Sequence, residues 1–232
     1  MMGSTEGIAT PRLPGDSPDC YTRSAYRWRA QGKRRTRMAG AQSIQGYGFE
    51  GNGFMLRGWR LDDAESLAAN ADNRNVWINL RSRFPRPYTT AAARSWISRT
   101  IGGRERGLQL AIEVDGLAVG GISVDVVTAN TPRTGEIGYW IGEAYWGRGI
   151  AGQAVATAYP VAYEKLSLDR LRAVVRSSNA ASLRILERCG FQMQSRMRRS
   201  DRRPGSAVVE MVYTRDREGF VSRDALVTAT VA

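Results

Sequence analysis

The sequence predicts a mixed α/β domain, and three observations carry that expectation. Glu136 to Ile141 alternates and carries β-branched and aromatic residues, then passes through a glycine-rich turn into an Ala-rich stretch from Ile150 that runs on to Tyr159, the signature of a strand followed by a helix. Leu108 to Val114 and Leu117 to Val127 form a second pair of apolar runs, joined by Asp115-Gly116, the dipeptide favoured in two-residue hairpin turns. Phe54 to Leu61 reads as a first strand, and Asp62 with Glu65 three residues later makes a capping-box-like start to a helix through about Ala71. A hydrophobic fraction of 42% over 232 residues is enough for one substantial core.

Residues 1–45 stand apart. They are rich in Gly, Ser, Pro and Arg without apolar periodicity, so a disordered basic leader is expected there. Eight Arg/Lys against three Asp/Glu place +5 of the formal charge of +12 in this leader. Solvated arginines explain the remaining excess more simply than an RNA site does. The leader lacks the apolar core of a secretory signal, and no later stretch reaches the roughly 18 uninterrupted apolar residues of a membrane span. A cytoplasmic protein without a membrane partner is the resulting expectation, and Met38-Ala39-Gly40 offers a second start of translation. Cys20 and Cys189 lie in unlike contexts and are expected as reduced thiols, with Cys189 a small packed residue. Histidine is absent, which removes the usual general base and the commonest metal ligand. Carboxylates, hydroxyls or water must carry any acid–base chemistry, and no metal is required.

Taken in order, Val76 to Leu80 follows the first helix, and then comes Phe84-Pro85-Arg86-Pro87-Tyr88-Thr89, whose prolines impose an extended path before a helix from about Ala91 to Ile101. The Asp-Gly hairpin is scaffold. Thr128 to Arg133 connects it to the Glu136 strand, and the following helix continues to about Lys165 with Pro160 inside it, where a kink is expected. Leu171 to Arg176 is a strand leading to a helix that ends near Arg188 before Gly190. Two strands close the domain, Phe191 to Arg199 and Ala207 to Thr214, around the basic loop Arg198 to Gly205. The domain is expected to span 46–215, with 216–232 a loose tail.

The turn Trp146-Gly147-Arg148-Gly149-Ile150-Ala151-Gly152 is where chemistry is expected. Its glycines let the backbone approach a ligand, and the free N–H groups of the helix's first turn point into it, a geometry that suits phosphate. No Gly-Lys-Ser/Thr follows, so it is not a Walker loop. The full G-x-G-x-x-G spacing is present, but a dinucleotide fold would end the next strand in an acidic residue, and this one ends Val174-Val175-Arg176-Ser177.

The turn resembles motif A of the GNAT acetyltransferase superfamily, Gln/Arg-x-x-Gly-x-Gly/Ala, with Trp146 in the first position as in the RimJ/RimL-like group of ribosomal-protein N-terminal acetyltransferases. Asn179-x-x-Ser182 followed by Leu186-Glu187-Arg188-Cys189-Gly190-Phe191 resembles that group's second motif. The resemblance implies a mixed, mostly antiparallel central sheet, splayed at the cofactor site, with helices on both faces. It implies acetyl-CoA as cosubstrate, its pyrophosphate on Gly147, Arg148, Gly149, Ile150, Ala151 and Gly152, and its pantetheine on Trp140, Ile141, Gly142 and Asn179. By the same analogy Ser182, also at the cofactor, protonates the departing CoA thiolate. Phe84 and Tyr88 either wall the acceptor cleft, as the Phe-Pro-x-Pro-Tyr segment of that group suggests, or anchor a loop. Asn179 is at the same time a helix cap.

Attack of a neutral amine on a thioester requires proximity, an oxyanion donor and removal of a proton from nitrogen. Without histidine, Glu136 is the candidate base, through water, and is equally readable as a solvated strand-end carboxylate; Glu143 is the alternative. Gln153 stands where the group commonly has Glu. The acceptor is expected to be a protein N-terminal α-amine, with ribosome association and a homodimer compatible with the resemblance. Competing readings are a small amine acceptor (a polyamine, amino acid or aminoglycoside), a non-catalytic acyl-CoA-binding module, and an RNA binder acting through the leader. The basic segments Arg81 to Arg86 and Arg196 to Arg203 argue against polycations.

Overall fold

The computed structural model describes residues 28–30, 47–80, 85–103, 107–200 and 207–219. Among them nine strands form one sheet: β1 (Trp28–Ala30), β2 (Tyr47–Gly51), β3 (Phe54–Arg57), β4 (Leu108–Val114), β5 (Leu117–Thr128), β6 (Thr134–Ile141), β7 (Arg170–Arg176), β8 (Gln192–Ser200) and β9 (Ala207–Asp216). Their spatial order is β1-β2-β3-β4-β5-β6-β7-β9-β8. Every neighbouring pair is antiparallel except β6 with β7, which are joined by the helical crossover that a parallel pair requires.

Local chemistry accounts for most of these elements. Asp115 at φ 50° and Gly116 at φ 80° make the two-residue turn that the β4–β5 hairpin needs. The first strand is shorter than expected and is preceded by a hairpin partner: β2 pairs with β3 across Asn52-Gly53. Trp28–Ala30, inside the leader expected to lack a fold, extends this edge by pairing with β2.

Helices α1 (Ala64–Ala71) and α3 (Thr90–Ile101) cover one face of the sheet, and α4 (Ile150–Lys165) and α5 (Ala180–Arg188) belong to the core of the other. The cap of α1 differs from the expected Asp62/Glu65 pair. A short 3₁₀ turn, Leu61–Asp63, leads into the helix, and the buried Asp63 accepts from the Arg60 N–H at 2.8 Å; Arg57 draws Asp63 inward, leaving Asp62 in solvent. The short α2 (Arg74–Trp77) is capped by Asn73, whose side-chain oxygen accepts from Asn75 and Val76 N–H. Thr89 caps α3. Helix α4 continues across Pro160 and buries Ala154, Val155, Ala158 and Ala162 against the sheet, small side chains that let the helix lie close. Cys189 is buried, as its context suggested, and its thiol donates to the Gly152 carbonyl at 3.8 Å. No helix among the described residues is long and apolar enough to cross a membrane.

Four phenols in these cores resist ionisation, Tyr213 among them through its hydrogen bond to the Glu187 carboxylate. Burial pushes Tyr88 up to about 12, with Arg99 opposing it, and burial likewise raises Tyr139 and Tyr163. An unfolded tyrosine ionises near pH 10, so above that pH the unfolded chain holds fewer protons than the native one. The stability from keeping these phenols neutral is complete below pH 10 and is lost as pH climbs toward about 12. Urea midpoints measured at pH 8, 10 and 11.5 should fall only in the last step, together with the rise of tyrosinate absorbance. A midpoint that holds while all tyrosines ionise would contradict this.

Candidate functional site

Strands β6 and β7 are paired only at their starts, Thr134 to Glu136 against Arg170 to Arg172. Beyond that point β6 keeps only β5 as a partner and β7 only β9, so the sheet parts between them. The inner edges of both strands carry backbone donors and acceptors that no strand uses. A cavity of about 850 Å³ fills the divergence, and its lining comes from both faces of the sheet: Asn179, Ser182 and Tyr139 from the α5 side, Trp59 and Trp96 from the α1/α3 side. A ligand in this cleft is therefore reachable from two opposite directions.

The α5 side is held by a short network. The Asn179 side chain accepts from the Ser182 N–H at 3.1 Å, which satisfies the helix's first turn and makes the cap expected of it. The Tyr139 hydroxyl donates to the Ser182 carbonyl at 3.2 Å. Ser182 is thus fixed through both backbone groups, and its side chain lines the cavity with Asn179.

The glycine-rich turn lies at the start of α4. Gly147 and Gly149 adopt φ of 75° and 74°, a left-handed conformation that glycine takes without strain. Gly149 is the helix N-cap and provides no side-chain cap, so the first-turn N–H groups of Ile150, Ala151 and Gly152 open on the turn, where the helix dipole favours an anion. Arg148 donates to the Ala144 carbonyl at 3.1 Å and lies over Tyr145, exposed beside that turn. The Trp146 indole N–H donates to the Ile141 carbonyl at 2.9 Å, which ties the turn to the end of β6. Gly142 is committed more fully than expected: its N–H donates to Val119 O at 2.7 Å, and a Cβ there would meet the Asn70 side chain at 2.1 Å.

On the α1/α3 side, register places Asp125 opposite Glu136, Ser123 opposite Gly138 and Gly121 opposite Trp140, and alternate residues of a strand share a face. Glu136 lies in the cavity wall, in an ion pair: Arg172 Nε and Nη2 both reach its Oε2 at 2.8 Å. Glu143 is exposed and takes the side-chain amides of Asn73 and Asn75 on its two oxygens, each at 2.8 Å, which holds α2 beside the turn and keeps this carboxylate off the cavity wall. Tyr88 follows the anchor reading of its segment. It is buried at 6% exposure in the core between α1 and α3, its N–H bound to Asp72 Oδ1 at 3.0 Å, and it does not reach the cavity. Phe84 lies outside the described residues, as does most of the basic loop between β8 and β9.

Several cavity residues escaped the sequence reading. Asp125 accepts from the Gln109 amide at 2.7 Å; Glu210 lies near Arg199 at 3.6 Å; all four line the cavity. Ser123 and Asp125 carried a signal, because they place polar groups at alternate positions of an otherwise apolar strand. Trp59 and Trp96 carried none, since large aromatics in that position read as core.

A family model described as the acetyltransferase (GNAT) domain matches residues 54–192. The chain is similar to the Bacillus subtilis protein named "Probable N-acetyltransferase YjcK", 27% identical over 157 residues that span 65% of this chain and 87% of that one. Among solved structures, Mycobacterium smegmatis RimJ in complex with CoA-disulfide superposes with a TM-score of 0.64 at 26% identity, covering 76% of this chain and 89% of that one. RimL, the ribosomal L7/L12 α-N-protein acetyltransferase in complex with coenzyme A, superposes at 0.63 with 19% identity, covering 73% and 97%, a likeness of fold.

Proposed function

The chain belongs to the GNAT acetyltransferase family, and we propose on that premise that it transfers the acetyl group of acetyl-CoA to a protein N-terminal α-amine by direct attack in a ternary complex. The observation that carries the reading is the cleft between β6 and β7, lined from one side by Asn179 and Ser182 and from the other by the carboxylates Asp125 and Glu136. Residues 46–215 would act as one catalytic unit.

In this reading the uncapped start of α4, from Gly147 to Gly152, holds the pyrophosphate on backbone N–H groups, with Arg148 beside it. The end of β6 at Trp140 and Ile141, with Asn179, takes the pantetheine amides. The neutral amine enters from the α1/α3 side and its lone pair attacks the thioester carbonyl, and the nitrogen of the tetrahedral adduct then gives a proton through water to Glu136. The C–S bond breaks, Ser182 gives its proton to the departing sulfur and regains one from solvent, and Glu136 returns its proton to solvent. An α-amine titrates near 8 and a lysine near 10.4, so proton removal through water to a carboxylate suits the former better.

The charged lining also supports a single amine. Asp125, Glu136 and Glu210 share the cavity with Arg172, Arg176 and Arg199, a balance that offers a polyamine or aminoglycoside no net attraction. The test is thiol release from acetyl-CoA with panels of N-terminal peptides, lysine peptides and small amines. Turnover of peptide α-amines alone is the expected result; turnover confined to small amines would overturn the acceptor assignment.

A further inference from the structure

We infer that the acceptor side of the cleft is a chamber for an amine that bears an aromatic group, as at the N-terminus of a chain beginning with Phe, Tyr or Trp. The inference rests on the acetyltransferase reading and specifies its acceptor. Three tryptophans from three different elements converge there. Trp59, which follows β3, and Trp96 of α3 stand edge to face with ring centroids 5.0 Å apart. Trp140 of β6 joins them over Gly121, where an added Cβ would meet Trp59 at 3.0 Å and the Trp140 indole nitrogen at 3.4 Å. All three line the cavity.

The strand register sets this aromatic wall against the carboxylates. Trp140 lies opposite Gly121, Gly138 opposite Ser123, and Glu136 opposite Asp125. At about 3.3 Å per residue, the tryptophan row and the carboxylate row are roughly 13 Å apart with the Gly138 row midway. Gly138 is exposed, and a Cβ there would meet only the Ser123 hydroxyl, at 3.7 Å. An ammonium over Gly138 lies within about 7 Å of both rows, a separation that lets its own side chain extend onto the indoles while Asp125 and Glu136 face its charge. A ring placed there stacks or meets edges with Trp96 and Trp140 and displaces water from apolar surface. A methyl or hydroxymethyl group in the same place leaves that wall wet. The charge balance of the lining leaves no reason for a second cation on the acceptor.

The experiment uses the full chain and peptides identical beyond the first residue, with Ala, Ser, Leu, Phe or Trp at position one. Thiol release gives kcat/KM, and calorimetry with the corresponding amino-acid amides in the presence of CoA gives affinity without turnover. Phe and Trp should exceed Ala and Ser by about tenfold or more in kcat/KM, the scale on which apolar pockets discriminate. In Trp96→Ala the Phe/Ala ratio should collapse toward one, and Trp96→Leu, a milder change in the same half-buried position, should reduce it. Equal or better use of Ala and Ser, or a ratio untouched by both variants, overturns the chamber. If no peptide releases thiol, the amides still decide: about tenfold tighter binding of phenylalanine amide than alanine amide, lost in Trp96→Ala, keeps the chamber and removes the transfer reading. Equal binding removes the chamber.

Discussion

Ser182→Ala should lower kcat for acetyl transfer by about 10²-fold, at the lower end of what a positioned general acid supplies, while leaving the affinity for CoA within about twofold. The backbone of Ser182 is what organises the helix mouth, through the Asn179 cap on its N–H and the Tyr139 hydroxyl on its carbonyl, and an alanine keeps both. The substitution therefore removes one hydroxyl from an intact site. The lower end is the right scale because thiols ionise near 8.5, so a departing thiolate is tolerable and the acid assists a step that can proceed without it. For the same reason the deficit should shrink as pH rises through 8.5, where the leaving group no longer needs a proton. Single-turnover rates of wild type and variant from pH 6.5 to 9.5 test this. A full-rate variant, or a loss that stays constant with pH, would remove the acid role from Ser182 and leave it a packing residue of the cleft.

The half of the cleft proposed for the cofactor was legible in the sequence because it is made of local signals. A strand, a glycine-rich turn and an uncapped helix start are contiguous in Glu136 to Gly152, and Asn179-x-x-Ser182 is one turn of helix, so chain order alone brings those groups together. The half proposed for the acceptor is made of residues far apart in sequence: Gln109, Asp125, Glu136 and Arg172 meet through the registers of β4, β5, β6 and β7, and Trp59 and Trp96 join them through the packing of α1 and α3 on the sheet. Tyr88 shows the cost of reading that half from a motif. Its neighbours fitted a cleft wall and a loop anchor equally; Asp72 fixes its backbone and the α1/α3 packing buries its ring, which no local pattern reports. Glu136 was found by its strand position, whereas its ion pair depends on the single parallel contact with β7. The missed hairpin partner β2 did carry a signal, Asn52-Gly53.

The largest effect on stability is expected at Arg57, which is 4% exposed. Its Nη1 and Nη2 donate to Asp63 at 2.8 and 2.7 Å, its Nε pairs with Glu113 and its Nη1 also reaches the Gly58 carbonyl at 3.0 Å. One guanidinium thus ties β3, the start of α1 and β4. Burial alone would lower its pKa, and the Asp63 and Glu113 carboxylates outweigh that and hold it above the ordinary value. Arg57→Ala leaves Asp63 without its cation and Glu113 with only the exposed Arg60 at 3.9 Å, and should cost about 3–5 kcal/mol, a large share of the 5–15 kcal/mol typical of a domain. Arg57→Lys should recover only part, because an ammonium cannot span two carboxylates as a planar fork does. Replacing the whole cluster, Arg57→Met with Asp63→Asn and Glu113→Gln, should be milder than Arg57→Ala, since no buried charge is then stranded. Urea midpoints of the three variants order these costs, and a triple variant as unstable as Arg57→Ala would mean that the ion pairs themselves, and not the stranded carboxylates, set the loss. Trp59 is two residues from Arg57 and packs in the same core as α1. Arg57→Lys should therefore raise KM for the acceptor more than KM for acetyl-CoA at temperatures where it is still folded, because the element it loosens walls only the acceptor side of the cleft.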